Sequence, residues 1–239
     1  MNSAISALGQ WIRDAGSVVF FGGAGVSTES GIPDFRSVDG LYNQTWDYPP
    51  ETILSHSFFM RSPEAFYRFY REKLMARGVK PNAAHMRLAE LEREGKLRAV
   101  ITQNIDGLHQ MAGSENVLEL HGSAQKFYCM QCRHKYGPEY IKTSKDVPRC
   151  QYCGGIVRPD VVLYEERLDA YVLRQANEYI QRAEVLIVGG TSLAVYPAAG
   201  LLDYYNGDKL VLINRDTTAY DGRANILIHE KIGEVFSQV

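Results

Sequence analysis

Four cysteines, all that the chain contains, fall into two pairs: Cys129-Met-Gln-Cys132 and Cys150-Gln-Tyr-Cys153, with seventeen residues between the pairs. Each Cys-x-x-Cys knuckle turns two thiolates toward one centre, and the longer connection lets the second knuckle complete a tetrahedron. That spacing suits zinc. Two disulfides are a competing reading, disfavoured by an intracellular setting. A redox role for one pair is another, weakened because two knuckles occur together. With Cys129, Cys132, Cys150 and Cys153 filling every position, no place remains for water or substrate. The expected metal is structural, holding an insert of about 35 residues that lacks a core of its own.

The stretch FFGGAGVSTESGIPDFR, Phe20 to Arg36, offers a second kind of chemistry. Glycines after an apolar run let main-chain amides approach a ligand, and a following helix start would add unpaired amides, an arrangement suited to pyrophosphate. The match to the dinucleotide fingerprint is partial, since Thr28 stands where the third glycine would be. No Lys-Ser/Thr pair follows, which excludes a nucleoside-triphosphate P-loop. The bland alternative is that the glycines serve tight strand-to-helix packing.

Polar residues recur at comparable places. TQNIDGLHQ (102–110), LHGS (120–123), GGTSLAVYPAA (189–199) and NRD (214–216) each follow an apolar run. Singly, Asn104, Asp106 and Asp216 read as turn formers, Thr191 and Ser192 as helix caps, and His121 as a structural histidine. Polar groups after four strands at one sheet edge are harder to treat that way, because ligands of open parallel sheets bind beyond the carboxyl ends of the strands.

Those runs are the elements that must position the site. SVVFF (17–21), LRAVIT (97–102), VLEL (117–120), EVLIVGG (184–190), KLVLIN (209–214) and ANILIH (224–229) read as buried strands of a parallel sheet. Helical patterns lie between them. The N-terminal segment places Ile5, Leu8, Trp11 and Ile12 on one face. SPEAFYRFYREKLMAR has Ser62 as N-cap and Pro63 in the first turn, with Phe66, Phe69, Tyr70 and Leu74 sharing a face. NAAHMRLAELEREG ends at Gly95, and LDAYVLRQANEYIQRA spans 168–183. The order predicts an α/β protein with a Rossmann-like, doubly wound parallel sheet and a smaller zinc-ribbon and helical subdomain. Residues 37–60 show no sustained period and read as a long functional loop. A net charge of −2 gives no support to nucleic-acid binding. No run of about 18 apolar residues is present, and the N-terminus lacks a signal pattern, so a soluble cytoplasmic protein is expected.

GAGVSTESGIPDFR, TQNIDGLH, LHG, the paired knuckles, GTSLAVYPAA and LVLIN occur in the order seen in sirtuins, and from about residue 10 onward the chain resembles these NAD-dependent protein-lysine deacylases, of the bacterial type. The resemblance implies one catalytic domain over 1–239: a large part near 1–36, 97–122 and 157–239, and a small part near 37–96 and 123–156. It implies that Gly23, Ala24, Gly25 and Thr28 belong to the NAD phosphate loop. Asp34, Phe35 and Arg36 would cover the nicotinamide ribose, with Phe35 shielding the reactive sugar face. Asn104, Ile105 and Asp106 would form the nicotinamide pocket, and Gln103 would contact the ribose. Gly190, Thr191 and Ser192 would lie near the phosphates, and Asn214, Arg215 and Ile232 on the adenosine side.

In such a reaction the acyl oxygen attacks the ribose carbon as nicotinamide departs, and a ribose hydroxyl then takes over the acyl group. His121 is the implied general base, with Asn104 and Asp106 also catalytic. The products would be deacylated lysine, nicotinamide and 2′-O-acyl-ADP-ribose. Val161, Val162, Leu163 and Tyr164 would pair with an acetylated segment as an added strand. Many sirtuins have Phe-Gly-Glu where this chain has Tyr164-Glu165-Glu166, and the two acids predict a preference for Lys or Arg beside the acyl-lysine. Tyr70 and Lys73 match the Tyr-x-x-Arg pair of members that remove dicarboxylic acyl groups. Lysine lacks the bidentate fork of arginine, so a deacetylase is expected. Other acyl groups, ADP-ribosyl transfer or NAD hydrolysis at the same site, and a zinc-ribbon module that only senses NAD are the alternatives.

Overall fold

The computed structural model describes residues 3–35, 40, 46–75 and 78–239. Among these residues nine strands form two sheets. β1 (Val18–Gly22), β2 (Leu97–Thr102), β3 (Val117–Glu119), β7 (Val185–Gly189), β8 (Leu210–Ile213) and β9 (Ile226–Ile228) make a parallel sheet in the order β3-β2-β1-β7-β8-β9. The order reverses between β1 and β7, where a crevice opens at the carboxyl ends. β4 (Gly122–Cys129), β5 (Lys135–Tyr136) and β6 (Val157–Val161) form a small antiparallel sheet in the order β5-β4-β6.

Every residue of β1 is buried because both faces of the large sheet are covered. Phe20 packs into a cluster with α1 (Ser3–Asp14), α5 (Ala83–Arg93) and α9 (Ile232–Phe236), while Phe21 points the other way, toward α8 (Ala170–Arg182) and the 3-10 turn Ala198–Tyr204. Burying each phenylalanine contributes on the order of 2 kcal/mol. All six strands expected in this sheet are present. In α1, Ile5, Leu8 and Ile12 are buried and Trp11 is partly so.

The third core belongs to α2 (Pro50–Ile53), α3 (His56–Arg61), α4 (Pro63–Phe69), the small sheet and α7 (Pro138–Thr143). Phe58, Phe59, Phe66, Tyr67, Phe69 and Tyr70 fill it. The long loop expected over 37–60 is therefore corrected in part: Pro50 opens α2, Ser55 caps α3 by accepting from the Phe58 amide, and both helices are too short for a period to show. Residues 37–39 and 41–45 lie outside the described residues. Ser62 precedes Pro63 as expected but makes no side-chain cap bond. Ala84, Leu88 and Leu91 of α5 join the core of the large sheet, so α5 does not belong with the small part to which boundaries at 37–96 would assign it. Among the described residues no helix is long and apolar enough to cross a membrane.

Candidate active site

The glycine loop leaves β1 and runs into two 3-10 turns, Ala24–Val26 and Thr28–Ser30, rather than the expected helix. Its glycines are needed mainly for packing. A Cβ on Gly23 would come within 2.8 Å of Thr191 Cβ, and one on Gly25 within 2.8 Å of Gly190 Cα. The Gly25 N–H donates to the Gly190 carbonyl at 2.7 Å. Gly190 itself has φ 59°, and a Cβ there would lie 2.3 Å from the Val26 nitrogen. The loops after β1 and β7 thus touch through bare backbone across the point where the sheet order reverses, and Gly23 does not line the crevice.

The crevice has a volume of about 1510 Å³. Around it the structure places Ala24, Gly25, Thr28, Asp34, Phe35, Gln103, Asn104, Ile105, Asp106, His121, Gly190, Thr191, Ser192, Asn214, Arg215 and Ile232. Val161, Val162, Leu163, Tyr164 and Lys73 line it as well. Arg36 lies outside the described residues. Asp34 faces Arg215 at 3.9 Å, and Ile232 fills the space beside Gly189.

Tyr70 is the correction within this set. Its side chain is fully buried, stacked on Phe66 with ring centroids 5.6 Å apart and edge-on to Phe127 at 6.1 Å, away from the crevice. The chain from Tyr70 to Leu74 is a π turn. Its extra residue per turn swings Lys73 further from Tyr70 than an α-helix would, so the two do not act as a pair. Lys73 contacts Glu72 at 3.3 Å and lies 5.6 Å from the Trp46 ring centroid.

Ser27 went unmarked in the sequence and is central here. It is buried, donates to Asp106 Oδ2 at 2.7 Å and accepts from Asn104 Nδ2 at 3.1 Å. Asp106 Oδ1 accepts from the Leu108 amide at 2.9 Å. Burial raises the Asp106 carboxyl above its ordinary pKa, and these two bonds pull it back in part. Behind the loop, Asn82 Nδ2 donates to the Val26 carbonyl at 2.8 Å and to Ser30 Oγ at 3.1 Å. Glu29 accepts from the Gly233 amide at 2.6 Å and ties the loop to α9. Nothing in the composition of this loop marks these braces, because their partners are far away in the chain.

His121 stands between β3 and β4, just before Gly122. Gly122 has φ 74°, and a Cβ there would fall 2.0 Å from the Asp160 carbonyl oxygen. The His121 Nδ1 is 2.9 Å from the Gln103 carbonyl. A carbonyl only accepts, so Nδ1 carries the hydrogen and Nε2 keeps its lone pair. Burial lowers the His121 pKa below 6.5, and the bond to Gln103 opposes that only partly. The ring is a neutral base at pH 7.

Two buried amide donors at the crevice, Gln103 Nε2 and Asn214 Nδ2, have no partner among the described residues. Asn214 turns its oxygen to the Thr191 amide at 2.9 Å, which leaves the Nδ2 hydrogens to a ligand. Unpaired buried donors are costly, and hydroxyl or phosphate oxygens would satisfy them. The residues therefore fit a dinucleotide such as NAD.

At the far end of β4, the four cysteine Sγ atoms all lie within 4.8 Å of one another and none is in a disulfide. Cys129 and Cys153 are 3.4 Å apart, Cys132 and Cys150 3.5 Å. Four thiolates so arranged fit a tetrahedral zinc ion. Tyr136 donates its hydroxyl to Cys150 Sγ at 3.1 Å, an outer contact that orients this ligand.

The expectation for the two acids after segment 161–164 is corrected for Glu166. Glu166 accepts from Arg158 at 2.6 and 3.0 Å and from the Leu163 amide at 2.9 Å, and meets His56 Nδ1 at 2.8 Å. Although burial acts against it, this set holds the Glu166 carboxyl down at about 2. Glu165 is bonded to Ser57. The Glu166 charge is thus paired with Arg158, whereas Glu165 meets only uncharged donors and stays exposed at the crevice.

A sheet of this order, a glycine loop at its reversal and a four-thiolate module define a dinucleotide-binding α/β protein with a metal-held appendage. The Sir2 family profile matches residues 23–197, and the chain belongs to that family. It is 55% identical over 238 residues to an NAD-dependent protein deacetylase of Clostridium acetobutylicum, covering 98% of this chain and 97% of that protein. A Staphylococcus epidermidis protein of the same name is 44% identical, with 98% and 96% covered. Among solved structures, a Sir2 enzyme with a p53 peptide and NAD+ superposes with a TM-score of 0.88 at 41% identity, covering 98% of this chain and 96% of that one. A Sir2 enzyme bound to a propionylated peptide gives 0.88 at 40% identity, with 100% and 97% covered.

Proposed function

We propose that this chain removes acetyl groups from protein lysines in an NAD-dependent reaction, yielding deacetylated lysine, nicotinamide and 2′-O-acetyl-ADP-ribose. One observation carries the reading. His121 offers a base to the crevice through Nε2 and at the same time accepts the Val162 N–H on its own carbonyl at 2.9 Å. The base is thereby in fixed register with the strand edge to which a peptide would add.

When bound, NAD supplies an electrophilic ribose carbon and a neighbouring hydroxyl that receives the acetyl group. Asp106 and Asn104, joined through Ser27, orient the carboxamide of the departing ring. The Gln103 and Asn214 amides donate to ribose oxygens, Phe35 closes the sugar face against water, and Arg36 is assigned to phosphate or ribose oxygens. Segment 161–164 offers main-chain groups to the peptide, which gives affinity with little demand on sequence. His121 Nε2 takes the ribose hydroxyl proton. Cys129, Cys132, Cys150 and Cys153 hold one zinc ion as a fold element, with no part in the chemistry. The division of labour is a large part near 1–36, 97–122 and 157–239 and a small part near 37–96 and 123–156, with α5 counted in the large part. Four unbridged cysteines support a reducing, cytoplasmic location.

The test is nicotinamide release from NAD with and without an acetyl-lysine peptide. Release should require the peptide and match deacetylation one for one. An equal rate without peptide would overturn the deacetylase in favour of a hydrolase.

A further inference from the structure

We infer that Glu165 is a positioning residue for the acyl peptide: bonded to Ser57, it fixes the left-handed corner at which the groove strand ends. The inference rests on the deacetylase reading above. Glu165 has φ 75°, a region that side-chain-bearing residues avoid. Such a conformation persists only where the surroundings over-determine it, and it concentrates at ligand clamps.

The surroundings do so here. Glu165 Oε2 accepts from the Ser57 amide at 2.9 Å and Oε1 from the Ser57 hydroxyl at 2.9 Å. The Ser57 amide lies in the first turn of α3, where amides lack a partner within the helix, so the carboxylate satisfies an otherwise orphaned donor. On the preceding side, the Tyr164 N–H donates to the Leu54 carbonyl and the Tyr164 carbonyl accepts from the His56 N–H, both at 3.0 Å. On the following side, Glu166 is held by Arg158 and His56. Residue 165 is a corner between two anchored neighbours, and its own carboxylate is the third anchor.

A second left-handed residue lies in segment 191–196. Leu193 has φ 54°, and its N–H donates to Thr191 Oγ1 at 3.2 Å. Four non-glycine residues have such angles among the described residues; Glu165 and Asp146 line the crevice, and Leu193 follows Thr191 and Ser192, which line it too. A strand entering between segments 161–166 and 191–196 would pair with backbone whose direction Glu165 and Leu193 set. Glycine at 165 would relieve the strain but surrender the bonds to α3, leaving the edge free to wander before the peptide arrives. The Glu165 carboxylate acts here through its two bonds to Ser57.

The experiment compares wild type, Glu165→Gly, Glu165→Gln and Ser57→Ala. It uses anisotropy of a labelled acetyl-lysine peptide, steady-state turnover and thermal melting. Glu165→Gly should raise the peptide Kd and KM by about tenfold, the scale expected for losing two ordering hydrogen bonds, with kcat and the NAD KM within about twofold. Glu165→Gln, which keeps an acceptor, and Ser57→Ala should each raise peptide KM less, and together less than the product of their separate effects. If Glu165→Gly melts early, this pair decides the matter. An unchanged peptide Kd and KM in every folded variant would overturn the proposal. So would a Glu165→Gln protein that loses a wild-type preference for Lys- or Arg-flanked peptides at low salt, because the charge would then face the peptide. Absent wild-type turnover with acetyl peptide would instead overturn the deacetylase reading, and the two failures are told apart by that control.

Discussion

The ring of His121 and the main chain of Gln103 are joined by a hydrogen bond of 2.9 Å from Nδ1 to the carbonyl oxygen. The bond fixes which nitrogen is the base, and burial keeps that nitrogen unprotonated to lower pH than in a free histidine. The acid limb of the kcat–pH profile should therefore have its midpoint below 6.5. His121→Ala should lower kcat by about 10²- to 10⁴-fold while calorimetry still detects NAD binding. Near-normal turnover in that variant would remove His121 from the role.

Ser27→Ala should leave the Asp106 carboxylate and the Asn104 amide short of a partner in a buried place. Disordering that pair should cost roughly 1–3 kcal/mol, seen as about a 10- to 100-fold fall in kcat/KM for NAD and in nicotinamide exchange. The melting temperature should fall by a few degrees as well, because the two groups are left unsatisfied inside the fold. Unaltered exchange would mean that Ser27 is only a turn residue.

Elemental analysis should find one zinc per chain. Its removal with a strong chelator should unfold the segment between β4 and β6, detected as new protease cleavage within 123–156, and abolish peptide turnover. A metal-free protein that resists protease and remains active would contradict a structural role.

On one peptide bearing acetyl or succinyl lysine, kcat/KM should favour acetyl, since Tyr70 is buried away from the crevice and Lys73 stands in the arginine position. Lys73 lines it without Tyr70. Lys73→Arg should then raise succinyl turnover by no more than about tenfold, one bidentate contact unsupported by a neighbouring hydroxyl. A wild-type preference for succinyl would reverse the assignment of acyl group.

What was legible in the chain were features that repeat or that carry unusual residues. β1 and β7 are continuous apolar runs because both faces are covered, β2 departs from this only at Arg98 and Thr102, and that pattern survives without coordinates. The two Cys-x-x-Cys pairs needed only spacing. His121, Asn104 and Asp106 followed from their position after strands. Less legible was whatever depends on an unrelated segment arriving at the right distance. Ser27 looks like any loop serine until Asp106, 79 positions later, comes within 2.7 Å. Glu166 looks like an exposed charge until Arg158 pairs with it, and Glu165 gives no sign that Ser57 will hold it. The Tyr-x-x-Arg resemblance assigns Tyr70 to the acyl pocket, whereas its helical spacing with Phe66 and Phe69 already marks it as a core residue.

The placing of Gly122 has a consequence for how such enzymes can be recombined. β4 is eight residues long; it begins beside the base and ends on the first thiolate, Cys129. Its first residue admits no side chain because the Asp160 carbonyl occupies the space. The junction at 121–122 is thus a poor seam for grafting, since a donor fragment spliced there would import its own pitch at the one place where the proton acceptor has no slack. Chimeras that exchange the thiolate module should be cut just before Cys129, at the end of β4, and between Cys153 and β6, so that the recipient keeps Gly122 together with its partner strand β6.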